Sequence, residues 1–275
     1  MIWPFKPKKR KQIARIEITG AIASETRKRV LKALKIVEEE DYPALLLRID
    51  SPGGTVGDSQ EIYQALKDIQ AKGVKVLASF GNISASGGVY IGVGAERIMA
   101  NPGTITGSIG VILRGNNLEK LLDKIGVSFK TVKSGPYKDI LAFDRETTPE
   151  EMQILQDLID TSYHQFVATV AAGRNLEPEV VRSFADGRVF TGEQALALGL
   201  VDRLGTEEEA RRWLAEWAEL DPEKVKMNTI EEKKPILTRL LSGQVARPKS
   251  RLGTCLDWVE FELVTSGQPL WLYRP

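Results

Sequence analysis

The sequence predicts an α/β fold in which strand-helix units stack around a mostly parallel sheet. Three observations carry this. From Gln12 to about Leu220, short apolar runs alternate with amphipathic stretches. Residues 44–49, Ala-Leu-Leu-Leu-Arg-Ile, are apolar at nearly every position, as in a strand covered on both faces. The runs also end at turn chemistry, as at Asp50-Ser51-Pro52-Gly53-Gly54.

Taken in order, residues 13–18 read as the first strand, 25–40 as a helix and 44–49 as a buried strand. A helix over 59–71 and a strand over 74–79 follow, then a loop. The small-residue run from Ser86 to Ala95 predicts a tightly packed helix that begins at Ser86. Its Gly87, Gly88, Gly92 and Gly94 each cost a helix about 1 kcal/mol relative to alanine, so close packing or function must require them. Residues 126–131 read as another strand. Residues 148–172 form a long helix opened by Thr148-Pro149-Glu150-Glu151, and 193–198 a short one. This divides the chain into a basic segment at 1–12, one domain at 13–219 and an extension at 220–275. The extension ends in an aromatic terminus containing Trp258, Phe261, Trp271 and Tyr273, and Trp258, Phe261 and Leu263 are apolar enough to dock, either on the chain's own core or on a subunit or membrane.

Composition excludes several functions. The 38 basic and 37 acidic side chains leave a net charge of +1, so a nucleic acid is not expected as a partner. A single cysteine, Cys255, permits no internal disulfide. A single histidine, His164, leaves too few ligands for zinc, so no metal or other cofactor is expected. His164 is also the only possible member of a histidine-dependent triad, and it falls inside the long helix. No run approaches the roughly 20 apolar residues of a membrane span. Trp3 and Phe5 beside Lys6, Lys8, Lys9, Arg10 and Lys11 suit a peripheral contact with an anionic membrane.

Three separated motifs converge on one chemistry. Ser84-Ala85-Ser86-Gly87-Gly88 places a serine after a strand and at a helix start, where peptide N–H groups favour a developing anion. Ser51-Pro52-Gly53-Gly54 ends a strand with backbone that a substrate can approach closely, making Gly53 the expected second oxyanion donor, with Gly54 beside it. Lys133-Ser134-Gly135-Pro136-Tyr137-Lys138-Asp139 supplies an amine. To act as a base near neutrality, Lys138 needs dry surroundings that lower its pKa from about 10.4. Thr106-Gly107-Ser108-Ile109-Gly110 offers Ser108 as the hydroxyl that orients it.

With Ala185-Asp186-Gly187-Arg188-Val189, these motifs, in this order over residues 13–214, resemble the signal peptide peptidase A family. These are Ser/Lys-dyad serine peptidases of the caseinolytic protease/crotonase fold group. The resemblance implies Ser86 as nucleophile, Lys138 as general base (with Lys133 as the rival in the same segment), Ser108 as positioning hydroxyl and the amides of Gly53 and Gly87 as oxyanion hole. It further implies a short, single-half form working as a homo-oligomeric ring whose dyad can be shared between neighbouring subunits. The substrates would be remnant signal peptides and other hydrophobic or unfolded segments, bound through shallow pockets for small or hydrophobic residues. The setting would be a bacterial protein, membrane-associated or cytoplasmic. An acyl-CoA enzyme of the crotonase type or a non-catalytic membrane scaffold are the alternatives on the same fold.

Overall fold

The computed structural model describes residues 11–230 and 269–273. The expectations for the basic N-terminal cluster, Cys255, Trp258, Phe261 and Leu263 lie outside them. Strand β1 (Gln12–Thr19) leads into helix α1 (Ser24–Glu39), then β2 (Ala44–Ser51), the short β3 (Gly53–Thr55), α2 (Val56–Ala71) and β4 (Lys75–Ala85). Helix α3 (Gly87–Gly92) follows, then β5 (Arg97–Ala100), β6 (Ile105–Gly107), α4 (Glu119–Ile125) and the long α5 (Pro149–Arg174). The described chain finishes with α6 (Pro178–Arg182), β7 (Val189–Phe190), α7 (Gly192–Ala197), β8 (Arg203–Leu204), α8 (Glu207–Trp217), β9 (Lys226–Thr229) and β10 (Leu270–Leu272).

The main sheet runs β7-β6-β4-β2-β1-β9, with β5 joining β4 to β8. Its pairings are parallel except between β6 and β7. Side chains of β1 and β2 are buried on both faces. Ile16, Ile18, Leu45, Leu47 and Ile49 meet the α1, α2 and α3 layer, while Ile13, Leu46 and Leu77 meet α8. This two-sided cover explains the near-continuous apolar run that announced β2. Truncating such a leucine to alanine costs about 2–5 kcal/mol. On the α8 side, Arg97 lies over the rings of Trp213 and Trp217 and packs its charge on their faces.

Most expected elements occur within a few residues of their bounds. Helix α5 begins with a complete capping box, in which Thr148 accepts from the Glu151 N–H and the Glu151 carboxylate accepts from the Thr148 N–H. Three differences matter. First, β4 does not stop at Ser79. It continues through the expected loop to Ala85, because the Asp50 carboxylate accepts the Ile83 N–H (3.1 Å) and Thr104 Oγ1 donates to the Gly81 carbonyl (2.7 Å). Second, the expected Pro-Gly-Gly turn holds a strand, β3, with partners on both edges. Third, residues 126–131 form no strand. They have no sheet edge to pair with, and Val127, Phe129 and the neighbouring Val132 are exposed. The region of the expected extension joins the fold twice, as β9 beside β1 and as β10 beside β3.

Candidate active site

Ser86 sits where β4 turns into α3, at φ 54 and ψ −114. Non-glycine residues rarely adopt positive φ, and holding one there costs about 1–3 kcal/mol. Its backbone is pinned on both sides: the Ser86 N–H donates to the Gly107 carbonyl (2.8 Å) and the Ser86 carbonyl accepts the Tyr90 N–H (2.9 Å). The hydroxyl has no such engagement. Ser86 Oγ is buried with no hydrogen-bond partner among the described residues, a state uncommon enough to mark a group held for use.

Around this hydroxyl the backbone is packed to glycine tolerance. Gly53 has φ +107, and a Cβ on it would lie 2.0 Å from the Trp271 carbonyl oxygen and 2.7 Å from the Gly87 nitrogen. A Cβ on Gly87 would lie 2.8 Å from Ser59 Oγ and 3.1 Å from the Gly54 nitrogen. These glycines therefore let β3, the start of α3 and β10 converge beside Ser86.

Which amides face the resulting cleft follows from the pleat. On one edge of β3 the Gly53 carbonyl accepts the Ile22 N–H (2.8 Å) and the Thr55 N–H donates to the Ile22 carbonyl (3.0 Å). Backbone groups alternate along a strand, so the Gly54 N–H and carbonyl face the opposite edge, where β10 pairs with Trp271 opposite Gly54. The Gly53 N–H instead donates to Ser51 Oγ (3.1 Å). The amide turned toward β10 beside Gly87 is thus that of Gly54, while that of Gly53 is turned to Ser51. A motif names glycines, and only strand register says which way each amide points.

Ser108 is brought to the same place by the ladder, because β4 and β6 pair in parallel with Ala85 opposite Gly107. Ser108 lies at φ 51 and is buried, its N–H held by the Arg188 carbonyl (2.7 Å). It opens onto a cleft of about 650 Å³ lined in part by Ile112, Asp160, Tyr163, Asp186 and Tyr273.

Lys138 is not brought to this group. It lies exposed in a stretch, residues 113–147, whose only helix is the short α4, and its side chain makes no hydrogen bond or ion pair with a described residue. The dry surroundings expected of a lysine base are absent from a single chain, since no other described element covers Lys138. The rival Lys133 is committed elsewhere, its Nζ donating to Asp139 Oδ1 (2.6 Å) and to the Pro136 carbonyl (2.8 Å). Hydrogen bonds from Arg145, then Lys133, hold the Asp139 carboxyl far below the usual carboxylate range. Arg145 also reaches Glu151 (2.8 Å), whose pKa falls to about 2 chiefly through that bond and then through the Thr148 N–H. His164 is exposed on α5. Among the described residues no helix is long and apolar enough to cross a membrane.

A mostly parallel α/β sheet presenting a strained serine at a helix start, against a glycine cradle, defines the class: this is a serine peptidase with a caseinolytic-protease-like fold. The chain belongs to peptidase family S49, whose model matches residues 68–221, and a Clp protease model matches residues 8–104. A candidate protease of Synechocystis sp., slr0021, is 70% identical over the whole of both chains. Protease 4 of Salmonella typhi is 41% identical over 177 residues, which are 64% of this chain and 28% of that one. Among solved structures, a point mutant of the 1510-N membrane-bound stomatin-specific protease aligns with TM-score 0.54 at 16% identity, over 81% of this chain and 98% of its own. A point mutant of ClpP1 from Listeria monocytogenes aligns with TM-score 0.51 at 18% identity, over 71% of this chain and 93% of its own. At these identities the structural matches speak for the fold alone.

Proposed function

We propose that the protein cleaves hydrophobic or unfolded peptide segments, remnant signal peptides among them, through an acyl-enzyme on Ser86 with a lysine as general base. The observation that carries this reading is the buried, unpartnered Ser86 hydroxyl at positive φ beside the Gly54 and Gly87 amides. A base takes the hydroxyl proton, Ser86 Oγ bonds to the peptide carbonyl carbon, and the two amides hold the oxyanion. Collapse breaks the C–N bond, the amine leaves with the proton, and water then hydrolyses the ester through the same base.

The base is Lys138 of a neighbouring copy. Lys138 has no partner among the described residues of its own chain, and the cleft beside Ser108 is open to receive an amine. Exposed Phe129, Val132 and Tyr137 in the same stretch supply apolar surface that a second copy would cover, giving the amine the low-dielectric setting it needs. The test is hydrolysis of a hydrophobic fluorogenic peptide by Ser86→Ala, by Lys138→Ala and by a mixture of the two re-assembled from dilute solution. Each variant alone is expected to be inactive. The mixture should regain activity at about one site in four, because random neighbours then pair an intact serine with an intact lysine. Full activity in Ser86→Ala ends the reading. Inactive single variants with no recovery on mixing would place both residues of a site in one chain.

A further inference from the structure

Residues 133–142, which carry Lys138, are tied to the rest of the fold by charge more than by packing. Among the described residues their backbone-to-backbone hydrogen bonds reach no further than three positions along the chain. The Lys138 N–H donates to the Gly135 carbonyl (3.3 Å) and the Ala142 N–H to the Asp139 carbonyl (3.0 Å). Between this stretch and α5 lies a cavity of about 290 Å³, lined in part by Leu113, Leu141, Met152, Leu155 and Ile159. Apolar contact is therefore incomplete there, and the attachment needs another source.

Arg145 supplies it. Its guanidinium forks onto Asp139 on one side, Nη2 donating to Oδ1 (2.9 Å) and Nε to Oδ2 (3.2 Å). On the other side Nη1 donates to Glu151 Oε2 (2.8 Å) and Nη2 to Glu151 Oε1 (2.5 Å). The same guanidinium also donates to the Asp139 carbonyl and the Glu146 carbonyl, both at 3.0 Å. A planar fork held between two carboxylates fixes orientation as well as distance. The Glu151 side chain is only 3% exposed, and its carboxylate closes the capping box with the Thr148 N–H (2.9 Å). The far end of the fork is thus anchored in the first turn of the 26-residue helix α5.

The near end is anchored on the neighbour of Lys138. Asp139 takes a further bond from Lys133, whose Nζ also holds the Pro136 carbonyl, and this closes residues 133–139 on themselves. Three cations, Lys133, Lys138 and Arg145, meet two carboxylates, Asp139 and Glu151. Lys133 and Arg145 engage both carboxylates, and the Lys138 amine is left with no partner among the described residues.

We propose that Arg145, Asp139 and Glu151 form a clasp that positions Lys138, so that the free amine is presented from a loop fixed to the start of α5. They are positioning residues, acting through Lys138 and not on the substrate. The proposal rests on the reading of Lys138 as general base and deepens it. The clasp lies wholly within one chain, so it presents the amine in the same way to its own serine or to that of a neighbouring copy.

The experiment uses the full chain and begins with Asp139→Asn, which removes the charge at constant size and leaves the Arg145–Glu151 pair and the capping box in place. On a hydrophobic fluorogenic peptide, kcat should fall by on the order of 100-fold, as expected when a reacting group is misplaced by about 1 Å. KM should stay within about threefold, because the clasp serves the chemical step and not substrate binding. Arg145→Lys, which keeps the charge but loses the fork, should fall in the same way. The readout that separates positioning from mere stability is the rate at which a fluorophosphonate labels Ser86. Asp139→Asn should slow labelling in the wild-type background and change it by less than about twofold in Lys138→Ala, where there is no amine left to position.

A wild-type kcat in Asp139→Asn and Arg145→Lys, at unchanged assembled mass, overturns the inference. So does an equal loss of labelling in both backgrounds, or loss of fold or assembly in both variants, since each assigns the cluster to structure alone. In all of these the peptidase reading stands. If Lys138→Ala cleaves as fast as the wild type while Ser86→Ala is inactive, the lysine reading falls and the clasp falls with it.

Discussion

The Ser86 end and the 113–147 stretch of this protein are built on opposite terms. Around Ser86 the backbone is held by neighbours on each side, glycines are packed to contact, and residues 84–93 are buried. Around Lys138 there is one short helix, and Leu121, Ile125, Phe129 and Val132 face outward. The contrast teaches that one chain folds the buried serine and its glycine cradle by itself, while its stretch bearing the lysine leaves that lysine exposed. A buried serine needs its own fold to hold strain. A lysine base needs water removed, which a second surface can do.

The sharpest break of the comparison is at the rigid end. Gly53→Ala forces a Cβ into the Trp271 carbonyl at a φ that L residues avoid. It should cost the fold about 1–3 kcal/mol from strain alone and abolish peptidase activity. Equilibrium urea unfolding beside a peptide assay checks this, and an active, equally stable variant would show that the cradle is looser than its contacts indicate.

Next in size is the exposed stretch. Phe129→Asp with Val132→Asp should cost the isolated chain at most about 1.5 kcal/mol, because Val132 is fully exposed and Phe129 loses only its edge contact with Phe143. The same pair should lower the assembled mass in sedimentation and take activity down with it. Loss of stability without loss of assembly would mean that this surface packs on its own chain.

The smallest effect expected is on acid sensitivity. Glu151 titrates at about 2 in the fold, held there first by Arg145, against about 4.3 in an unfolded chain. Below about 4.3 the unfolded chain therefore binds more protons than the folded one. The Glu151 contribution is complete above that pH and disappears as pH falls toward about 2. Thermal unfolding followed from pH 6 down to about 2 should fall less steeply for Glu151→Gln than for the wild type. Identical slopes would show that the Arg145 bridge anchors nothing.

Much of this was legible beforehand because it is local. β1, α1, β2 and α5 announced themselves by apolar periodicity and by the Thr148 capping box, which depend on neighbours a few residues away. Ser86, Gly87 and Ser108 stood out because each sits in a short motif of adjacent residues. Trp271 was visible only as part of an aromatic terminus, and in the fold it packs on the chain's own core. Its register against Gly54, however, joins residues more than two hundred positions apart.

By itself, then, the sequence determined the order of most strands and helices and the place of Ser86 between a strand and a helix. The tertiary structure alone decided that the Gly54 amide turns toward β10 while that of Gly53 turns to Ser51, that 126–131 stays unpaired in one chain, and that Trp271 stacks on Tyr90. The division has one physical cause. Propensity and periodicity act over a few residues, whereas strand register and amide direction are set by long-range pairing that the linear pattern does not encode.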